Sequence, residues 1–298
     1  MLTILRYHEP GLGPRLGLCV DKEAVYDITV QYNTLAAWLQ STTGDVPGAT
    51  QALAETAQKG SPTCKLADIS SQPDASRRHF LAPIDSQEVW AAGVTYERSR
   101  VARLEEAQDG GDVYSRVYSA ERPELFFKSM GEKVVGPGAS VGIRHDAAWS
   151  VPEPELAVVF NPGMQVVGFT IGNDMSSRDI EGANPLYLPQ AKIYTASCAL
   201  GPFIVLTSEP TWPQAAISLR ITRSERLRFS GQTHTRHIHR GLPDLADYLG
   251  RCSRFAEGVF LLTGTGIVPP PEFHLSEGDE ISIEIEGIGT LSNAVQRV

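Results

Sequence analysis

From Val89 onward the chain is cut into short apolar or alternating runs, each closed by Gly, Pro, Asn or Asp, and this punctuation limits the fold more than any other feature. The runs Val89–Val94, Leu156–Phe160, Val166–Ile171, Phe203–Leu206, Val259–Leu262 and Ile281–Ile285 are too short for buried helices and have the length of strands. The clearest amphipathic pattern is Leu242 to Cys252, with Pro243 near its start and Leu242, Leu245, Ala246 and Leu249 on one face. This part therefore reads as a β-rich α+β domain and not as an alternating βαβ sheet. Residues 1–60 read as a small α/β unit. Its strands are Leu2–Tyr7, Leu16–Val20 and Ala24–Asp27, with turn signals from Pro10 to Pro14, and its helices are Leu35–Leu39 and Ala52–Ala57. A polar, proline-punctuated connector runs from Lys59 to Pro83, and a boundary near residue 78 divides a 1–78 unit from a 79–298 unit.

With 42% apolar and 20% charged residues among 298, the chain has material for a packed core and is not a disordered solvating chain. Its net charge of -9 is spread along the sequence, which disfavours nucleic acid and anionic membrane as partners and favours a small polar ligand. No apolar run approaches the roughly 18 residues of a membrane span, and Arg6 and His8 interrupt the start before signal-peptide length. A cytoplasmic protein is expected. Cys19, Cys64, Cys198 and Cys252 form no Cys-x-x-Cys pair and read as ordinary thiols.

The sharpest local feature is Pro152-Glu153-Pro154-Glu155, which runs straight into Leu156–Phe160. On an extended chain, residues two apart share a face about 6.6 Å apart. Glu153 and Glu155 can thus converge on one divalent cation, and an all-oxygen set suits magnesium, manganese or calcium. The alternative is a solvated strand edge, which is how Glu284 and Glu286 read beside the inward-facing Ile281, Ile283 and Ile285. Asp174 follows the Val166–Ile171 run, where it can reach into a cleft or cap a turn. Lys192 lies in a stretch with little other charge, so it must pair, snorkel or titrate low.

Other motifs carry less. Gly138-Ala-Ser-Val-Gly142 matches a nucleophile elbow in letters, but no helix pattern follows it. His234, His237 and His239 sit at spacings that fit no single face, so an exposed polar segment outweighs a metal site. Gly11 to Gly17 does not match the dinucleotide fingerprint. Tyr96–Arg122 reads as two short helices broken at Gln108–Asp112, either an exposed excursion or a flap over a site.

Taken in order, several blocks resemble the fumarylacetoacetate hydrolase family. They are Trp90-Ala-Ala-Gly-Val, Pro123-Glu-Leu-Phe-Phe-Lys128, Glu153-Pro-Glu-Leu-Ala-Val-Val, Gly172-Asn-Asp-Met-Ser-Ser-Arg-Asp, Leu200-Gly-Pro-Phe and Leu262-Thr-Gly-Thr-Gly266, and the match spans roughly residues 88–298. The resemblance implies a mixed β-roll catalytic domain behind the small N-terminal α/β domain. It also implies a magnesium ion, with manganese or calcium as alternatives, held by Glu153, Glu155 and Asp174, and an active-site role for Lys192. The wording from Ser176 to Lys192 and from Thr263 to Pro269 is similar to the branch that dehydrates 2-keto-3-deoxy-D-arabinonate. That branch converts a 2-keto-3-deoxy pentonate to 2,5-dioxopentanoate. Hydrolytic members carry a His–Glu pair on a lid, whereas Phe80–Arg144 here contains no histidine. The family's common dimers and tetramers imply self-association.

The chemistry expected is a metal-stabilised enolate of a 2-keto acid, formed as a C3 proton leaves and followed by loss of the C4 hydroxyl. Lys192 is the expected base or enolate-side cation, and Glu124 the acid that protonates the departing hydroxyl, with the two roles exchangeable. Thr265 and Gly264, in the Gly-rich turn, are expected at the substrate carboxylate. Arg178 is placed in the substrate-binding set, although an ion pair with Asp179 is its more natural occupation. Three alternatives stand beside this reading. One is a carbon–carbon hydrolase of acylpyruvates or fumarylacetoacetate-like diketones, with Glu124, Glu105 or Glu106 as base. The second is a Schiff base at Lys192, and the third a sugar-acid binder without turnover.

Overall fold

A computed structural model describes residues 1–106, 112–207 and 209–298, without the side chains of Glu106 and Asp112. Of the helix break expected at Gln108–Asp112, residues 108–111 lie outside the described residues, as does the carboxylate of Glu106, a candidate base, and Asp112 begins the helix Asp112–Ser119.

The short runs become strands where the alternation puts them: Glu88–Gly93, Pro154–Phe160, Val166–Asp174, Cys198–Leu206, Val259–Leu262 and Asp279–Ile285. The N-terminal strands Leu2–Glu9, Gly13–Val20 and Ala24–Asp27 precede helices Leu35–Ser41 and Val46–Lys59. Both helices are capped locally, the Thr34 hydroxyl accepting from Ala37 N and the Asp45 carboxylate from Gly48 N. The amphipathic stretch is helix Leu242–Gly250. Strands Glu124–Met130, Val141–Ile143, Ala216–Arg223, Arg226–His234 and Gly289–Arg297 have no counterpart among the sequence runs. Arg226–His234 is the outermost strand of its sheet and mostly solvent-facing, so no apolar alternation marks it. Gly138-Ala-Ser-Val-Gly142 leads into strand Val141–Ile143 and not into a helix.

Two large sheets form. The first is eleven-stranded and includes, in spatial order, Leu2–Glu9, Cys198–Leu206, Val166–Asp174, Pro154–Phe160, Val259–Leu262, Glu88–Gly93 and Glu124–Met130. The N-terminal strands continue it on one side, because Leu2–Glu9 pairs with Cys198–Leu206. The sheet therefore runs unbroken across position 78. The second sheet has five strands, ordered Arg226–His234, Ala216–Arg223, Asp279–Ile285, Gly289–Arg297 and Val141–Ile143.

Leu156–Phe160, the rest of strand Pro154–Phe160 after Glu155, is apolar at successive positions because it is covered on both faces. Leu156, Val158 and Phe160 pack toward Ile217, Leu219, Ile281 and Ile283 of the second sheet. Ala157 and Val159 pack toward Leu35, Trp38, Leu39 and Leu53 of the N-terminal helices. Glu284 and Glu286 are exposed, as their alternation requires. All four cysteines are free, and burial pushes the Cys198 thiol up to about 12, which leaves it inert. No described helix is long and apolar enough to cross a membrane.

Candidate active site

Several strand ends meet at one edge of the large sheet. Pro154–Phe160 and Val166–Asp174 are antiparallel, with Gly172 opposite Glu155 and Asn173 opposite Pro154, and Asp174 N donates to Glu153 O at 3.0 Å. Positions 153, 155 and 174 then share a face. Their carboxylates are buried and present ligand atoms within 4.8 Å of one another. Next to them Val259–Leu262 pairs with Pro154–Phe160, and the turn that follows brings Gly264 N to Glu155 Oε2 at 2.6 Å. Gly264 adopts φ +84°, and a Cβ there would collide with the Thr95 hydroxyl, so the turn requires glycine. Glu88–Gly93 lies alongside, pairing Gly93 with Glu124. The Glu124 side chain folds over Gly93, where a Cβ would strike its carboxylate.

Cations surround the acids. Lys192 Nζ, at the end of helix Leu188–Lys192, lies 3.0 Å from Glu153 Oε1, 3.0 Å from Asp174 Oδ2 and 2.6 Å from Ser176 Oγ. Lys128, fully buried in strand Glu124–Met130, reaches Asp174 Oδ1 at 2.5 Å and the carbonyls of Met175 and Lys192. Arg103 descends from helix Glu97–Glu106 to Glu153 at 2.8 Å and Glu181 at 3.3 Å. Arg178 reaches the same two glutamates at 2.8 and 3.2 Å. The cavity between these groups is lined by Gly93, Ser99, Arg103, Glu124, the three acids, Glu181, Lys192, Gly264 and Thr265, with Ala92, Val94 and Phe126 as apolar wall. Its open volume is about 20 Å³, room for one ion or water at the centre.

The electrostatics single out three groups. Burial, then the charges of Asp174 and Glu153, raises the Glu155 carboxyl well above its usual range. Burial, then Glu181, pushes Glu124 up to about 7 against the opposing pull of Arg103 and Lys192. Burial by itself lowers Lys192, but Asp174 and Glu153 outweigh it and hold the amine above the usual lysine range. The metal-free chain therefore carries an ammonium at 192, the opposite of the lowered amine that a base there requires. Three buried carboxylates, one of them strained toward protonation, are a hard-oxygen donor set for a divalent cation of the magnesium, manganese or calcium type.

The sequence-predicted residues Glu124, Glu153, Glu155, Asp174, Lys192, Gly264 and Thr265 all line this cavity. Two carry a different duty from the one expected. Gly264 spends its N–H on Glu155. Arg178 does not line the cavity, being engaged with Glu153 and Glu181, while Asp179 accepts from Ala148 N, so no Arg178–Asp179 ion pair forms. Thr265 Oγ1 accepts from Ile267 N at 3.2 Å. Among the described residues, the histidine segment forms no metal cluster with other ligands, and His239 stacks on Tyr118 with ring centres 4.5 Å apart. Arg103, Lys128, Ser176 and Glu181 escaped the sequence reading. Arg103 and Glu153 meet across 50 residues, and only the charge within the Phe126–Ser129 apolar strand hinted at a buried Lys128.

The fumarylacetoacetate (FAA) hydrolase C-terminal family model matches residues 88–296. A protein of Haloferax volcanii named probable 2-keto-3-deoxyxylonate dehydratase is 46% identical over 222 residues, covering 74% of this chain and 76% of its own. The 2-dehydro-3-deoxy-D-arabinonate dehydratase of Saccharolobus solfataricus is 42% identical over 219 residues, covering 72% and 74%. A solved 2-keto-3-deoxy-D-arabinonate dehydratase, complexed with magnesium and 2,5-dioxopentanoate, superposes with a TM-score of 0.81 at 30% identity over 99% of both chains. With the acidic trio at the strand ends and a family match that runs from the Glu88 strand almost to the last residue, this chain belongs to the fumarylacetoacetate hydrolase family.

Proposed function

We propose that the chain is a hydro-lyase that removes water from a 2-keto-3-deoxy pentonate, such as the D-arabinonate or xylonate derivative, to give 2,5-dioxopentanoate. The observation that carries the reading is the buried trio Glu153, Glu155 and Asp174 facing Lys192 and Glu124 in one cavity. The relatives named for this reaction supply the substrate class, and the superposed dehydratase binds magnesium and that product. The trio would hold magnesium, which when bound supplies Lewis acidity to the carboxylate and keto oxygens of a 2-keto acid.

The protein groups then divide the proton work. Lys192, held cationic, would stabilise the charge that develops on the substrate oxygen as the C3–H bond breaks. Glu124, balanced between its two forms near neutrality, takes the C3 proton and returns it to the C4 oxygen, which leaves as water while the C3–C4 double bond forms. Isomerisation of the resulting 5-hydroxy enone moves hydrogen from C5 into the chain and gives the aldehyde. Thr265 lies at the cavity wall, and its hydroxyl or N–H would donate to the substrate carboxylate.

Incubation with magnesium and a panel of 2-keto-3-deoxy acids and diketones, read by mass spectrometry, is expected to yield one semialdehyde from a 2-keto-3-deoxy pentonate and to leave the diketones unchanged. EDTA abolishes turnover and magnesium restores it. Two acids from one diketone would make the chain a carbon–carbon hydrolase, and borohydride trapping of substrate on Lys192 would replace the metal route by a Schiff base. The pH profile assigns Glu124. As the base in the free enzyme it must be ionised, so kcat/KM rises with pH to a midpoint near 7. Glu124→Gln removes that limb. A wild-type activity that falls through the same midpoint makes Glu124 the acid and Lys192 the base. A cytoplasmic enzyme working as a homodimer or homotetramer completes the reading. Leu186 and Tyr187, 84% and 46% exposed beside the Lys192 helix, support self-association, which light scattering measures.

A further inference from the structure

Two arginines and two glutamates close into a ring at the cavity wall, three of them lining it and Arg178 behind. Arg103 and Arg178 each contact both Glu153 and Glu181, at 2.8 to 3.3 Å. The members come from helix Glu97–Glu106, the segment before strand Pro154–Phe160, and helix Arg178–Ala183, and all four are buried. Both guanidiniums meet Glu153 at Oε1, the atom that also receives Lys192 and Ser176. Each arginine therefore divides its charge between one carboxylate of the acidic trio and one outside it.

A cation and the two guanidiniums compete for the negative charge of Glu153. Glu181 draws part of the guanidinium charge away, and its contact with Arg103 fixes how the helix above sits on the site. We infer that Glu181 is a positioning residue that acts through Arg103 to keep Glu153 available to the cation. The inference rests on the reading in which Glu153, Glu155 and Asp174 hold the metal. Without the Glu181 charge, both arginines draw harder on Glu153 and metal affinity falls. Partners of this kind, one bond removed from a ligand, typically govern affinity by about 10- to 100-fold.

The test is a double-mutant cycle on the EDTA-dialysed full chain, read by manganese calorimetry, with thermal unfolding as the check on folding. Glu181→Gln is expected to raise the manganese dissociation constant about tenfold, and its kcat deficit to shrink as manganese is raised. In an Arg103→Met background the same change is expected to matter less than about threefold, because the group it acts through is gone. Equal losses in both backgrounds would reduce Glu181 to a bare charge and overturn the inference, as would an unmoved affinity in Glu181→Gln. Should wild type take up no manganese, the metal reading falls and this falls with it. Binding in wild type with an unmoved variant sinks the positioning role alone. If Glu181→Gln does not fold, the cycle is run with Glu181→Asp, whose shorter side chain cannot hold both guanidiniums, and is judged by the same additivity.

Discussion

Glu155→Gln is expected to give a metal-free protein that unfolds at a higher temperature than wild type and no longer turns over substrate. Glu155 is buried against Asp174 and Glu153, and burial followed by those charges raises its carboxyl well above the ordinary 4.5. The unfolded chain releases this proton near 4.5 and the folded chain only at higher pH, so the unfolded state binds fewer protons above 4.5. Stability of the metal-free protein therefore falls as pH rises from about 4.5 toward the folded value. Glutamine still accepts from Gly264 N and removes both the strain and its share of the slope. A bound cation reverses the situation by favouring the charged form. The variant accordingly loses the magnesium-dependent rise in melting temperature seen in wild type, and turnover drops by at least about a hundredfold. Calorimetry at pH 5 and pH 8, with and without magnesium, reads all of this. A metal-free variant less stable than wild type would show that the Glu155 carboxylate is not strained.

Glu153→Ala is expected to lose the same activity with the opposite effect on stability. Arg103, Arg178, Lys192 and Ser176 converge on one oxygen of this carboxylate. Deleting it takes one carboxylate away from three buried cations, which keep Glu181 or Asp174, and breaking a buried ion pair from one side costs about 3 to 5 kcal/mol. From the sequence alone Glu153 is a ligand whose loss should spare the fold. The structure makes it the counter-ion of the site as well. Urea unfolding of the metal-free variant measures the cost, and Glu153→Gln, which keeps an acceptor, is expected to recover part of it. Full activity in Glu153→Ala would remove the basis for the site.

Why Glu153, Glu155 and Asp174 were legible and their partners were not follows from how each signal is encoded. Strand periodicity is local, so two glutamates two apart entering an apolar run share a face. Spacing leaves a solvated edge open for them and a turn cap open for Asp174, and the family resemblance is what joins the three as ligands. The six apolar runs after residue 88 become strands for the same local reason, whereas the solvent-facing strand Arg226–His234 carries no such alternation and escapes the sequence reading. Arg103, Lys128 and Glu181 reach the acids only through the sheet order and the seating of a helix, which no spacing records. Lys192 shows the limit most plainly. Its sparsely charged surroundings in sequence leave pairing, snorkelling and a lowered amine all open, and the fold takes the first by placing two carboxylates against it, which raises the amine. Arg178 and Asp179 are neighbours in sequence yet take different partners, because a short helix turns them toward different segments.

The turn that quiets Glu155 is 109 residues downstream of it. During synthesis the acids emerge first and the Gly264 amide much later, so the growing polypeptide holds an unfinished anion cluster through much of its production. A purified fragment cut before that turn would keep every acid of the trio and still lack the amide that steadies one of them.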